Sequence, residues 1–113
     1  MSEIQGGIKR QLRELAVVAH ERELAKALDD LAGAFARWRA AELNSFQLND
    51  LIHEFHNGRL QELWVRYASS HLEPSVAYAI AAGILEKRTV PAEVLEYLKS
   101  LIEFYESGIH KPS

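Results

Sequence analysis

The residues best suited to chemistry lie in the segment 50–57, where two carboxylates and two imidazoles fall within about one and a half helical turns. Side chains of these types bind metal ions or exchange protons. Zinc proteases carry His-Glu-x-x-His on a helix, with the histidines four residues apart, whereas His53 and His56 are three apart. Ferritin-like di-iron sites use Glu-x-x-His on two helices. Asp50 and His53 imitate one such pair, and we find no second pair in the sequence.

A helical wheel places this cluster away from the apolar side of its helix. With Phe46 as origin, the apolar face centres at about 190°, while His53 falls at about 340° and Asp50 at about 40°. His56 falls at about 280°, at the edge of the apolar face, where a helix C-terminus would favour its cation. We therefore predict a solvated face and no bound metal. The alternative is a metal-binding protein or metal-dependent enzyme that uses Asp50, His53, Glu54 and His56.

The rest of the chain offers no clear catalytic set and no cofactor motif. There is no cysteine, so thiolate chemistry and disulfides are excluded. Gly6 and Gly7 precede a helix but lack the remainder of a phosphate-binding loop. His20 stands among the charged residues 21–23, which predict a polar surface ladder of ion pairs. Catalysis is not favoured, and we expect no cofactor.

Composition and charge restrict the class of protein. The chain has 113 residues, 48% of them apolar and 26% charged, which is typical of a single soluble domain with one core. Its formal net charge is −3 and it has no concentrated basic stripe, so nucleic-acid binding is not expected. The longest uncharged stretch, 75–85, is shorter than the roughly 20 residues of a membrane span. The N-terminus also lacks the apolar core of a signal peptide, and we expect no membrane partner and a cytoplasmic location.

Apolar residues recur at spacings of three and four along most of the chain, and no segment alternates like a strand. We predict an all-α, single-domain bundle of five helices over residues 1–113, with flexible ends at 1–7 and 108–113. A capping box of Asn44 and Gln47 begins the second helix. The predicted helix 75–87 has no charge on any side over residues 75–85, and it is expected to be the central helix. Expected stops and starts are Asn57-Gly58 after the second helix, Thr89-x-Pro91 before the fifth, and Gly108 at its end.

The first helix, predicted over 8–41, has two apolar faces. Ile8, Leu12, Leu15 and Ala19 share one face, and a second face, rotated by about 140°, carries Leu24, Leu28, Leu31, Phe35 and Trp38. A straight helix of this length would measure about 50 Å, more than the roughly 35 Å diameter of a compact domain of this size. We therefore expect either a break near residues 20–23 or packing of the N-terminal half on another subunit.

These features favour a small interaction or regulatory module that forms a homodimer. The first face, Ile8, Leu12, Leu15 and Ala19, is the predicted interface, because an uncovered stripe of this kind is unusual in a monomer. Another protein is the second possible partner. Phe46 lies off the apolar face of its helix, so it either packs onto Trp38 or Leu43 or remains exposed as an anchor for a partner. A bacterial regulatory component, such as an antitoxin-like partner, also suits a chain of this kind, but no residue points to it.

Overall fold

The computed structural model describes the backbone of residues 2–110 and the side chains of residues 7–68 and 70–108, and every regular element in that part of the chain is helical. This confirms the all-α bundle with a long N-terminal helix. The α-helices are α1 (Ser2–Arg39), α2 (Ser45–Glu54), α3 (Gln61–Arg66), α4 (Leu72–Ala81), α5 (Ala92–Tyr97) and α6 (Lys99–His110). A π-helical segment, Phe55–Leu60, joins α2 to α3, and short 3-10 helices lie at Ser69–His71 and Lys87–Thr89. Of the ends predicted to be flexible, residues 1 and 111–113 lie outside this description, and the backbone of 2–7 and 108–110 is helical.

The first helix is a single unbroken element. α1 has 38 residues, and the predicted break near residues 20–23 does not occur. Alanine, leucine, glutamate and the basic residues that make up most of α1 are strong helix formers. The helix ends at Arg39, and Ala41, two residues further on, has a left-handed backbone with φ 63°. The amide of Ala41 donates to the carbonyl of Trp38, and the amide of Glu42 donates to that of Arg37, as in a Schellman motif.

The chain divides into two compact units, which we describe separately. Unit 1 comprises residues 1–20 and 67–113, and unit 2 comprises residues 21–66, so α1 contributes to both. In unit 1, α4 supplies the centre of the core, as its all-apolar sequence predicts. Val76, Ala77 and Ala79 are completely buried, and Ile80 is almost so. Further core side chains are Leu12 of α1, Val94 of α5 and Ile102 of α6, together with Leu98, which lies between α5 and α6.

The end of α4 differs from the prediction. The helix stops at Ala81 and does not reach residue 87. Gly83 follows with φ 80°, a conformation that only glycine adopts without steric cost. Its amide donates to the carbonyl of Ile80 at 3.1 Å, and the next amide, of Ile84, reaches the carbonyl of Ala79 at 2.9 Å. These two bonds form a Schellman motif, so Gly83 ends the helix instead of allowing a neighbour to approach it.

The last predicted helix is divided into two and begins later than expected. Thr89 lies in a 3-10 turn, where its hydroxyl donates to the carbonyl of Glu86 at 2.8 Å, so it does not cap a helix. Pro91 directly precedes α5, where its missing N–H has no helical partner to lose. Leu98 separates α5 from α6 with φ −99° and ψ 7°. Gly108 does not end the helix, because α6 continues to His110.

Unit 2 is a helical hairpin. The second half of α1 forms one arm, and α2, the π-helical segment and α3 form the other. Arg59 pairs with Asp30 at 2.6 Å and Arg66 pairs with Glu23 at 3.0 Å. Residue numbers therefore rise along one arm in the direction in which they fall along the other. The arms are therefore antiparallel.

The second arm of unit 2 begins as the sequence predicts and continues where a stop was expected. The side chain of Asn44 accepts from the amide of Gln47, and the Gln47 side chain accepts from the amide of Asn44, both at 2.8 Å. This confirms the capping box. The predicted stop at Asn57-Gly58 is wrong, because both residues lie inside the π-helical segment. Gly58 does not have a left-handed backbone there, so it cannot act as a C-cap.

Candidate interaction surface

The four residues of the predicted chemical cluster lie on the surface of unit 2. Asp50, His53 and Glu54 of α2 are exposed, and so is His56 of the π-helical segment. The solvated face is confirmed. The helix end expected beside His56 does not occur, because α2 continues directly into the π-helical segment. Among the described residues, no three His, Asp or Glu side chains come together in a way that would hold a metal ion.

His20 does not belong to a solvent-exposed ladder. Its ring is half-buried and stacks on the ring of Tyr67, with centroids 5.3 Å apart and planes inclined by 19°. Tyr67 is itself 8% exposed, so the pair forms part of the packing of unit 1. The sequence signal was weak, because the two residues lie on different elements and only the charged neighbours of His20 were visible.

The predicted interface lies inside unit 1. Ile8 is 6% exposed, Leu12 and Ala19 are completely buried, and Leu15 is half-buried, all within a single chain. At the edge of this face, the side-chain amide of Gln11 donates to Glu93 of α5 at 2.5 Å. The premise that this face lacks a cover within its own chain is therefore wrong. This packing leaves no uncovered apolar stripe on that face for a second subunit to bind.

Small residues continue the buried stripe of α1 beyond that face. The buried side chains are Ile8, Leu12, Ala16, Ala19 and Ala27, which follow one side of the helix at steps of about three or four residues or twice that. Among residues 21–39 of α1, Ala27 is the one fully buried side chain, and Leu24 and Leu31 are half-buried. Leu28 is 48% exposed, and both Phe35 and Trp38 are 37% exposed. In the described part of the chain, three of the five residues of the second apolar face of α1 are thus exposed, and the other two are half-buried.

Unit 2 as a whole exposes more large apolar side chains than it buries. The structure describes every side chain of this unit, so the following buried and exposed residues are all those of residues 21–66. Its fully buried apolar residues are Ala27, Leu48 and Leu63. Its exposed large apolar residues are Leu28, Phe35, Trp38, Phe46, Ile52, Trp64 and Val65. Such an excess is typical of a surface that binds another macromolecule.

Some of the exposed apolar residues of the two arms lie on the same flank of the hairpin. The ion pairs of Asp30 and Arg66 mark the opposite flank. Around the axis of α1, Leu28 lies about 160° from Asp30, and around the axis of α3, Trp64 lies about 160° from Arg66. Both apolar side chains therefore point away from the ion pairs. We call Leu28, Phe35 and Trp64 the apolar flank.

Phe46 adopts the exposed arrangement of the two that the sequence allowed. It is 82% exposed, so it is not packed as a staple onto Trp38 or Leu43. The indole N–H of Trp38 instead donates to the hydroxyl of Ser45 at 3.1 Å. Phe46 is therefore available as an anchor for a partner.

Unit 1 has an open groove of about 290 Å³ between α5 and α6. Its lining combines apolar side chains such as Leu95 with charges of both signs. Lys87 and Glu106 at its edge pair with each other at 2.6 Å. This mixture favours no particular class of ligand.

No protein-family model, curated protein or solved structure matches this chain. Within residues 2–110, none of the helices combines the length and the apolar character needed to cross a membrane. α1 has the length but carries charged residues in almost every turn. The function is therefore inferred from the fold and from the exposed surface.

Proposed function

We propose that this protein is a small interaction module that forms a homodimer through its N-terminal helix. The contact uses the exposed second face of α1, around Leu28 and Phe35, and not the face of Ile8 and Leu12. One observation carries the proposal: unit 2 exposes seven large apolar side chains and buries three apolar ones. Covering such a surface removes apolar area from water, which favours association by roughly 25 cal/mol for each Å².

A second copy is the simplest cover for this surface. Symmetric dimers are the most common assemblies of soluble proteins, and they need only one self-complementary patch. A cytoplasmic location belongs to the same proposal, because a chain without cysteine does not depend on an oxidising compartment.

The mass in solution tests the proposal. Light scattering over a concentration series should approach twice the 12.8 kDa of one chain. Leu28→Glu should shift the mass to that of the monomer, because a carboxylate would be buried in the contact. Val65→Glu is the matched control, since Val65 is 51% exposed and lies on α3 away from the flank. It should leave the mass unchanged.

The outcomes separate clearly. A mass of 12.8 kDa at every concentration would overturn the homodimer. A dimer that survives Leu28→Glu would show that another surface forms the contact. Circular dichroism of both variants should retain the helical signal of the parent chain, which excludes unfolding as the cause of dissociation.

A further inference from the structure

The outer side of α1 in unit 2 carries a heptad pattern that the described part of the chain leaves exposed. Six residues follow one another in alternating steps of four and three, the spacing at which one side of a helix meets a neighbouring helix. They are Glu21, Ala25, Leu28, Ala32, Phe35 and Arg39, and we call them the seam. All six side chains are exposed.

The apolar residues of the seam complement themselves when two copies of α1 lie antiparallel. In one register, Phe35 faces Ala25 of the second copy and Leu28 faces Ala32 of the second copy. Each large side chain then meets a small one, which lets the helices approach closely and fills the space between them. Both pairs occur in the same register, because 25 and 35, like 28 and 32, are centred on residue 30.

The charged ends of the seam complement each other in that register too. Glu21 and Arg39 are also centred on residue 30, so each carboxylate faces a guanidinium of the second copy. Twofold symmetry gives two such pairs in each dimer. A parallel arrangement would place Glu21 against Glu21 and Arg39 against Arg39, where like charges repel. Charge and side-chain size therefore select the same orientation.

We infer that the partner of the seam is a second copy of this chain, bound with the two α1 helices antiparallel and the twofold axis beside residue 30. This inference rests on the proposed homodimer and specifies its geometry. The contact is a short coiled coil with four apolar positions from each helix, closed at both ends by the pairs of Glu21 with Arg39.

Charge reversal tests the orientation. Glu21→Arg and Arg39→Glu should each weaken self-association about tenfold, because each change creates two like-charge contacts in the dimer. The double variant exchanges the charges and should restore the parent dissociation constant to within about threefold. Sedimentation equilibrium measures all four chains. If the double variant is as weak as the singles, or if neither single variant has an effect, the antiparallel register is wrong.

Engineered cysteines give an independent measurement, because the natural chain has none. We expect a mixture of Glu21→Cys and Arg39→Cys chains to form a disulfide between the two variants on oxidation. Either variant alone should stay uncross-linked, since equal positions lie about 27 Å apart in this register and a disulfide needs Cα atoms within about 7 Å.

The two measurements distinguish the inference from the proposal on which it rests. A disulfide between two Glu21→Cys chains would show a parallel dimer, which overturns the inference and leaves the homodimer intact. A dimer by mass with no disulfide in the mixture would place the contact elsewhere and would also overturn the inference. A monomer by mass would overturn both.

Discussion

Nη1 of Arg66 donates to both carboxylate oxygens of Glu23, at 3.0 and 3.1 Å. This contact ties α3 to α1 in a unit that buries few apolar side chains. The Glu23 side chain is 19% exposed and that of Arg66 is 33% exposed, so water screens the pair less than it would a surface pair. The hairpin therefore depends on this polar contact more than a well-packed domain would.

Glu23→Gln should lower the free energy of unfolding by about 0.5–1.5 kcal/mol, because a charge-assisted hydrogen bond is replaced by a neutral one. Urea denaturation measures the change. Asp30→Asn is the control, because it alters the more exposed pair of Asp30 with Arg59. The Asp30 side chain is 57% exposed and that of Arg59 is 41% exposed. This change should lower the free energy of unfolding by less than about 0.5 kcal/mol. Equal losses in the two variants would contradict the special role of Glu23.

Leu12→Ala should cost about 2–5 kcal/mol of stability and leave the mass in solution unchanged, because Leu12 is completely buried in unit 1. Val17→Ala, five residues further along α1, removes a side chain that is 69% exposed and should change stability by less than about 0.5 kcal/mol. Thermal denaturation and light scattering together check both variants. Loss of the dimer without loss of stability in Leu12→Ala would return the contact to the first face of α1.

Gly83→Ala should destabilise the protein by about 1 kcal/mol. No atom lies within 4 Å of the position that a Cβ would occupy, so the cost arises from the left-handed backbone alone. Gly33→Ala is a matched control, because its Cβ also meets no atom within 4 Å but Gly33 lies within α1. That change should stabilise the protein by about 0.5–1 kcal/mol. The opposite signs, measured by urea denaturation, are the expected result.

Ala41→Gly should stabilise the protein by about 0.5–1 kcal/mol. Ala41 occupies the left-handed position that ends α1, where a Cβ is sterically unfavourable and glycine is not. The gain is partly offset by the greater freedom of glycine in the unfolded chain. A lower midpoint in urea for this variant would show that the terminal turn tolerates alanine without strain.

Local signals in the sequence predicted only part of the local structure. The capping box of Asn44 and Gln47 involves residues three apart, so composition and spacing were sufficient. The presence of a glycine did not by itself predict a helix end, since Gly83 ends a helix whereas Gly58 lies within one. The difference depends on how the flanking segments pack, and a single sequence does not contain that information.

The sequence located both apolar faces of α1, but it did not show that the chain itself buries the Ile8 face and exposes much of the Leu28 face. The wheel identified the Ile8 face and the Leu28 face correctly as apolar. A helical wheel treats alanine as only weakly apolar, although Ala16, Ala19 and Ala27 lie on the side of α1 that the chain buries. Small residues contribute little to a hydrophobic pattern, yet they allow close packing between helices. Predicting which face is covered therefore required the positions of the other helices.

The π-helical segment makes one turn of the hairpin adjustable in length. A π turn holds one residue more than the α-helical turn it replaces, and the flanking helices keep their hydrogen bonds. Deleting Asn57 would let Phe55–Leu60 close into a regular turn while Leu63 kept its orientation. Deleting Glu62 instead would rotate the following side chains by about 100°. Natural length variation in this arm is therefore expected at the π turn.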